Sequence, residues 1–160
     1  MLNPISIEEA VQKGHFIINP HGLSMWPMIR EGKDSVLIEP VDGRLQKYDI
    51  PLYKDRYDRY VIHRIIEVTD TGYVICGDGV FEKEYDITDK NILGVMTGFF
   101  RKEKFISCKS KGYMLYAKIW VGLIFMRKPM IVFVRKCRRL KVIMGEYVQR
   151  IKKGKGHLNK

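Results

Sequence analysis

Short runs of alternating hydrophobic and polar residues dominate the first hundred positions of the chain, and they predict β-strands. Turn residues, including several glycines, separate these runs. The predicted strands are His15–Asn19, Ser35–Glu39, Ile50–Lys54, Tyr60–Val68, Gly72–Cys76 and Ile92–Phe100. Their spacing favours a compact barrel or coiled sheet over an array of βαβ units. The fold class predicted for residues 1–100 is therefore mainly β.

A short helix is predicted ahead of the strands, from Ile5 to Lys13. Ser6 can cap this helix, and Glu8 and Glu9 lie in its first turn. Gly14 follows as a stop.

The pattern changes after residue 100. Residues 101–112 are rich in Lys, Ser and Gly without periodicity, which predicts a linker. Tyr113–Met126 is apolar almost all round, and from Val134 onward apolar residues recur at helical spacing. These periodic residues are Cys137, Leu140, Ile143, Met144, Tyr147, Val148 and Ile151. The predicted organisation is a domain at 1–100, a linker at 101–112 and a basic amphipathic helical tail at 113–160.

The tail is too charged to be predicted as a membrane span. A helix needs about 20 mostly apolar residues to cross a bilayer, whereas the longest uncharged run of the tail, Ile119–Met126, has 8. A longer span would include Lys118 or the pair Arg127 and Lys128. We therefore expect helices that lie in the membrane interface.

The net charge of +11 is concentrated in the last third of the chain. Residues 1–100 hold 11 Lys and Arg against 16 Asp and Glu, a net −5, whereas residues 101–160 hold 18 against 2, a net +16. This asymmetry indicates a mildly acidic domain joined to a segment that meets phosphate, in lipid head groups or in nucleic acid. Trp120, Phe125 and Phe133 favour lipid, although such a mixture can also bind RNA. A solvated basic face without a ligand is the remaining alternative.

The cysteines predict neither a disulfide framework nor a zinc site. Cys76, Cys108 and Cys137 are 32 and 29 residues apart, without a Cys-x-x-Cys pair. No metal or other cofactor is therefore predicted. The first residues carry early acids and no continuous apolar stretch, so neither a secretory signal nor a leading anchor is predicted, and the domain is expected in the cytoplasm.

Two residues stand out as candidates for nucleophilic chemistry. Ser24 lies in the run Gly22 to Pro27, a rigid turn that can present its hydroxyl and backbone N–H groups to one point, although a plain turn serine has the same pattern. Among four histidines, His63 lies in a predicted strand with Val61 and Ile65 on the same face. An apolar setting keeps imidazole neutral and able to accept a proton, but a satisfied core histidine is the alternative.

These candidates belong to an ordered series of short motifs. Within the series, Asp78 supplies a carboxylate, although the pair Asp78-Gly79 is also typical of a hairpin turn. The series is Gly22-Leu23-Ser24-Met25-Trp26-Pro27, Lys33-Asp34-Ser35-Val36, Tyr48-Asp49-Ile50-Pro51, Val61-Ile62-His63-Arg64-Ile65, Gly77-Asp78 and Gly94-Val95. In this order over about 80 residues, the chain resembles the type I signal peptidases and the related LexA-type serine proteases. Lys33 and Tyr48 in place of glycine, Pro51 within a strand, and the lack of a predicted N-terminal anchor indicate a divergent member.

The resemblance implies a serine protease of the histidine type, because His63-Arg64 stands where most bacterial members carry lysine. Ser24 is then the nucleophile, His63 the general base and later the general acid, and the Ser24 backbone N–H an oxyanion donor. Gly22 offers no side-chain donor at the position where many relatives have a hydroxyl. If His63 is not the base, a lysine such as Lys54 is the alternative.

The carboxylate that supports His63 is less well defined by the resemblance. The Gly-Asp turn of the family falls on Asp78, which we predict as the third member. The later aspartate position of the family falls on Glu84, with Asp86 two residues beyond as the rival of Asp78.

The predicted function is that of a serine endopeptidase that cleaves a protein or leader peptide. The resemblance implies a substrate bound as an added β-strand, with small side chains on the acyl side. The alternatives are a catalytically silent binding domain and a LexA-type regulator whose basic tail touches DNA, although no helix-turn-helix is recognisable. Residues 113–153 are expected to hold the protein on the inner face of an anionic membrane, with nucleic acid the less favoured partner.

Overall fold

A computed structural model describes residues 6–127, 129, 131–133, 136, 137, 139, 140 and 144. The described chain is mainly β. Its strands are β1 (Phe16–Ile18), β2 (Asp34–Glu39), β3 (Pro51–Lys54), β4 (Tyr60–Ile62), β5 (Arg64–Val68), β6 (Tyr73–Cys76), β7 (Lys83–Ile87), β8 (Ile92–Arg101) and β9 (Lys104–Ser107). Its helices are α1 (Ile7–Gln12) and α2 (Lys111–Gly122), and a 3₁₀ turn covers Asp89–Asn91.

β8 is the central strand of the larger, six-stranded sheet. It pairs antiparallel with β2 along one edge, and its other edge is shared by β3 near its start and β9 near its end. The strand order along the main path is β1-β2-β8-β3-β4. An irregularity between Leu37 and Ile38 shifts the register of β2 against β8. The sheet curls into a half-barrel, with β1 and β4 as the outer strands of the path.

The smaller sheet holds β5, β6 and β7 in that order, all antiparallel. Backbone hydrogen bonds join it to the chain ahead of β3, because the Tyr48 N–H donates to the Ile65 carbonyl and the Ile65 N–H donates to the Asp49 carbonyl. The single strand predicted at Tyr60–Val68 is split at His63, since β4 pairs in the larger sheet and β5 in the smaller one. His63 therefore stands where the chain passes from one sheet to the other.

The main hydrophobic core packs the turn after β1 against the larger sheet. Met25, Met28 and Ile29 of that turn are buried with apolar strand residues. These strand residues are Val36, Ile38, Ile50, Leu52, Ile62, Met96 and Phe99. Full burial of one such side chain contributes about 2 kcal/mol. The core thus fixes the turn that carries Ser24.

α2 belongs to the same compact unit, and here the structure differs from the predicted boundary between 112 and 113. Tyr113 and Ala117 are buried in the main core, and Val121 is buried against the smaller sheet. The compact unit accordingly extends to Ile124. The sequence of this helix is apolar almost all round, so its buried stripe could not be told from a membrane-facing one.

The segment 101–112, predicted as a linker, contains β9 and the start of α2 instead. β9 returns alongside β8 through a two-residue turn in which Lys102 has a φ of 56°. Asn or Gly usually occupies such a position, so lysine gave no indication of a hairpin. β7 is likewise absent from the predicted strands, because it is rich in charge and only Ile87 is buried.

α1 confirms the predicted N-terminal helix in a shorter form. Ser6 is its N-cap and accepts a hydrogen bond from the Glu9 N–H at 3.1 Å, and Gly14 follows with a φ of 120°. The described residues beyond Leu123 are helical, and half of the tail predicted at 113–160 lies outside the described residues. Within the described part, no helix is long and apolar enough to cross a membrane.

Candidate active site

His63 is held on one side by polar side chains of two strands. Its Nδ1 lies 2.9 Å from Oε1 of Glu84 on β7 and 3.1 Å from the hydroxyl of Tyr53 on β3. The Tyr53 hydroxyl donates to the same Glu84 oxygen at 2.7 Å. The His63 side chain is 13% exposed, the Glu84 side chain 32% exposed, and Tyr53 is fully buried. The three groups form a closed triangle of short contacts.

Glu84 is the acceptor in this triangle. Desolvation acts to raise the pKa of its half-buried carboxyl, but the hydrogen bonds from His63 and Tyr53 outweigh it and hold that pKa below its usual range. Burial, and then the Glu84 carboxylate, raise the pKa of Tyr53, so the hydroxyl keeps its proton. Because an ionised carboxylate only accepts hydrogen bonds, we assign neutral His63 the Nδ1–H tautomer, with the lone pair on Nε2.

Ser24 opens a tight turn fixed by buried side chains. Met25 and Ile29 are both buried, and the Ile29 N–H donates to the Met25 carbonyl at 2.9 Å. Gly22, just before the turn, has a φ of 88°, a conformation that favours glycine. The Ser24 carbonyl accepts a hydrogen bond from the Gly79 N–H at 2.6 Å. The turn predicted from this part of the sequence is present.

Two glycines in the loop after β6 allow this turn to approach His63. A Cβ on Gly77 would collide with the Ser24 carbonyl oxygen and lie 2.9 Å from Cδ2 of His63, and a Cβ on Gly79 would collide with the Leu23 carbonyl. Cδ2, the ring carbon bonded to Nε2, thus lies next to Gly77, and Gly77 also adjoins the Ser24 carbonyl. In the described part of the chain, the side chains of Ser24 and His63 are not hydrogen-bonded to each other. Catalytic hydrogen bonds of this kind often tighten only when the substrate binds.

Asp78 is occupied elsewhere, and the geometry differs from the prediction that it orients His63. Its fully buried carboxylate accepts from Nε and Nη2 of Arg64, at 2.9 and 2.7 Å. From α2, the Tyr116 hydroxyl donates to the carboxylate at 3.2 Å and Trp120 Nε1 donates to the Asp78 carbonyl at 3.1 Å. The physical reason is that a buried guanidinium requires a buried counter-charge.

The other residues considered for the site do not hydrogen-bond to His63 among the described residues. Asp86 is exposed on β7. Nζ of Lys54 lies 2.8 Å from Glu8 and 3.3 Å from Asp58. The hydrogen bond to Glu8, followed by that to Asp58, raises the pKa of Lys54. A lysine held in its charged form is a poor general base.

An apolar cleft of about 360 Å³ opens beside Ser24. Its walls come from the segment after β1 on one side and from β4 on the other. The lining residues are Ile7, Ile18, Asn19, Pro20, His21, Gly22, Ser24, Met25, Ile29, Leu52, Tyr60, Val61 and Ile62. Because β1 and β4 end the strand path, their outer backbone edges can pair with a further strand. The cleft can thus take an extended peptide.

Sequence reasoning missed Tyr53 and did not choose Glu84. Tyrosine is common in strands, and nothing in the run Ile50–Lys54 indicates a buried hydroxyl with two polar partners. Glu84 was considered only because the later aspartate position of the resembled family falls on it. The Gly-Asp turn of the resembled family indicates Asp78 instead, whereas strand pairing decides which carboxylate reaches His63.

Within the described ranges, no group of three His, Cys, Asp or Glu residues could hold a metal ion. Comparison with known proteins gives no match, since no family model, no curated protein and no solved structure is significantly similar to the chain.

Proposed function

We propose that the chain is a serine endopeptidase in which Ser24 is the nucleophile, His63 the general base and Glu84 the carboxylate that orients His63. One arrangement carries the proposal: Nδ1 of His63 lies 2.9 Å from Glu84, and Gly77 adjoins both Cδ2 of His63 and the Ser24 carbonyl. A serine, a histidine and a carboxylate with these three roles occur together on unrelated folds, and such a set is recognised by its geometry. The resemblance to type I signal peptidases and LexA-type proteases supports the same roles for Ser24 and His63.

The proposed reaction follows from these positions. The Ser24 oxygen bonds to the carbonyl carbon of the scissile peptide while its proton passes to Nε2 of His63. The carbonyl oxygen becomes negative and is held by the Ser24 backbone N–H, which makes no hydrogen bond among the described residues. The proton then moves from His63 to the departing amine as the C–N bond breaks. Water then attacks the acyl carbon while His63 takes a proton from it. His63 passes this proton to the Ser24 oxygen as the bond between Ser24 and the acyl group breaks.

Glu84 has two effects in this reaction. It fixes the tautomer in which Nε2 can accept the proton, and it stabilises the imidazolium that forms. Its pKa, held low by His63 and Tyr53, keeps it ionised at neutral pH. Glu84 thus takes the place of the aspartate that the resembled family uses.

The cleft supports an extended protein or leader-peptide substrate. A peptide strand laid between the outer edges of β1 and β4 would place its carbonyl groups beside Ser24. Met25, Ile29 and Leu52 give the cleft an apolar lining. Apolar side chains next to the scissile bond fit this lining.

A fluorophosphonate probe, which reacts with activated serines, tests the nucleophile and the base together. We expect labelling of Ser24 in the wild type and loss of labelling in Ser24→Ala and in His63→Ala. His15→Ala is the matched control, because His15 is exposed and is not among the residues that line the cleft. Labelling that survives His63→Ala contradicts the assigned base. A folded wild type that is never labelled favours the silent binding domain.

The natural substrate can be identified by comparing protein N-termini in cells that carry the wild type or Ser24→Ala. A true substrate is expected to lose its mature N-terminus in the variant. The same comparison with His15→Ala is expected to show no change.

The chain is also proposed to attach peripherally to the inner face of an anionic membrane. Leu115, Ile119 and Leu123 follow one outward face of α2 and are 61%, 52% and 44% exposed, and Lys118 lies on the same face. The +16 charge of residues 101–160 attracts lipid phosphate, while the apolar side chains can insert below the head groups. Neither effect requires the chain to span the bilayer.

A further inference from the structure

The Tyr53 hydroxyl stands out among the buried polar groups because it contacts both members of the His63–Glu84 pair. It lies 2.7 Å from Oε1 of Glu84 and 3.1 Å from Nδ1 of His63, and the side chain is fully buried. β3 carries Tyr53 in the larger sheet, whereas β7 carries Glu84 in the smaller one. The hydroxyl therefore joins the two sheets at the histidine.

Glu84 needs a restraint from the protein. Its side chain is 32% exposed, and β7 is an outer strand of the smaller sheet, so water competes for its oxygens. Holding a long glutamate side chain in one rotamer costs conformational entropy. Arg59, which is close enough to Glu84 to interact with its charge, is paired with Asp55 at 2.6 Å. Among the described residues, Tyr53 and His63 are the side chains that hydrogen-bond to Glu84.

We propose that Tyr53 is a positioning residue: its hydroxyl anchors the Glu84 carboxylate, so that Nδ1–H of His63 has a fixed acceptor and Nε2 keeps its lone pair. The kinetic consequence rests on the proposed peptidase function, whereas the hydrogen-bond arrangement does not depend on catalysis. Tyr53 transfers no proton itself. Because burial and Glu84 raise its pKa, its hydroxyl remains a donor at every pH at which a histidine base works.

Tyr53→Phe removes the hydroxyl and leaves the ring in the core. With a fluorophosphonate probe, we expect the inactivation rate constant at saturation to fall about tenfold or more, with the half-saturating probe concentration unchanged. The reason is that the probe site is intact while the base is no longer held in one orientation.

Tyr73→Phe is the matched control. Tyr73 is as deeply buried as Tyr53, and its hydroxyl likewise donates to a carboxylate, that of Asp89, on a side chain with no hydrogen bond to His63. Both variants lose one buried hydroxyl, so a general loss of stability would affect them alike. We expect Tyr73→Phe to react with the probe at the wild-type rate.

Nitrogen NMR of the full chain, labelled in its histidine rings, reports the tautomer directly. His63 is assigned by its absence from His63→Ala. The wild type and Tyr73→Phe are expected to carry the proton on Nδ1 with Nε2 unprotonated, and Tyr53→Phe is expected to show mixed tautomers. A structural role for Tyr53 alone would not change this ratio.

The outcomes separate this proposal from the peptidase assignment. Unchanged probe kinetics and an unchanged Nδ1–H signal in folded Tyr53→Phe overturn the positioning role and leave the peptidase standing. A wild type that never reacts at Ser24, with a tautomer that still shifts in Tyr53→Phe, overturns the peptidase and supports the positioning role. If Tyr53→Phe does not fold, Glu84→Gln replaces it, and a fully retained Nδ1–H signal there overturns the anchor.

Discussion

At the scale of single residues, two carboxylates that lie close together in the sequence have different tasks. Glu84 accepts from the histidine and is partly open to solvent, whereas Asp78 neutralises Arg64 inside the protein. Their substitutions should therefore differ in kind, one affecting turnover and the other affecting folding.

Glu84→Gln is expected to lower the rate of peptide cleavage or probe labelling by about 100-fold or more, because an amide neither stabilises the imidazolium nor fixes one tautomer. The free energy of unfolding should change much less. Asp86→Asn is the control, since Asp86 is exposed on the same strand. Equal rates for Glu84→Gln and the wild type would remove Glu84 from the mechanism.

Asp78→Asn is expected to lower the free energy of unfolding by about 3 kcal/mol or more, since it leaves the Arg64 charge buried without its partner. Urea unfolding measures this loss. The variant molecules that remain folded should react with the probe at most of the wild-type rate. If Asp78→Asn has wild-type stability but reacts with the probe far more slowly, Asp78 has the catalytic role that the sequence predicts.

Some residues of the candidate site could be predicted from the sequence alone, and others could not. Ser24 and His63 could be selected because a glycine- and proline-bounded turn and a histidine within an apolar strand are local patterns. The choice between Asp78 and Glu84 is not local. It depends on the pairing of β6 with β7, in which Glu84 lies opposite Ile75, and β7 itself was not predicted.

At the scale of elements, the turn that carries Ser24 is tied to the larger sheet by Asp34 at the start of β2. The buried carboxylate accepts from the Arg30 N–H at 2.8 Å and from Nε and Nη2 of Arg101 on β8 at 2.9 and 2.7 Å. Arg101 also donates to the Met28 carbonyl within the turn. Burial acts to raise the pKa of Asp34, but the hydrogen bonds from Arg101 and Arg30 outweigh it and lower that pKa.

Asp34→Asn is therefore expected to destabilise the protein by about 2 kcal/mol at neutral pH. A carboxyl with a lowered folded pKa contributes its stability above the ordinary value of 3.8 and loses it as the pH falls through the folded value. The difference between wild type and variant should thus shrink in acid, which urea unfolding across that range measures. Asp42→Asn, at an exposed site, is the control. A difference that stays constant with pH would contradict the charge-based account.

β2 and β8 could be predicted because buried residues alternate along them, whereas β3, β5 and β6 are short buried runs between turn residues. β2, with the pattern of a buried residue at every second position, is the clearest case. β7 and β9 escaped prediction because few of their residues are buried, and the turn before β9 also lacks the usual glycine or asparagine. Their extended conformation depends on pairing with a neighbouring strand, β6 for β7 and β8 for β9.

At the scale of the whole molecule, the membrane proposal can be tested with the full chain. A truncation near Lys111 is unsuitable, because Tyr113 and Ala117 of α2 are part of the core. Leu115→Ser combined with Ile119→Ser removes exposed apolar area from α2 without entering that core.

We expect the wild-type chain to sediment with anionic vesicles at low salt and weakly with neutral ones, since each basic residue near the surface contributes about 1 kcal/mol. The double variant should bind less, and Ile17→Ser, at an exposed position of β1, should bind as the wild type does. Binding to anionic vesicles that the double variant does not reduce would exclude α2 as the insertion face. Protection of the tail by RNA without vesicle binding would favour nucleic acid.

The attachment of α2 to the loop beside Ser24 has a consequence for biosynthesis. The loop that contains Asp78 contacts the turn that carries Ser24 through Gly77 and Gly79, and this loop is itself held by Tyr116 and Trp120. A nascent chain still on the ribosome lacks these two donors until nearly the whole compact unit has been translated. The turn that carries Ser24 is therefore expected to reach its final arrangement only after α2 has been synthesised.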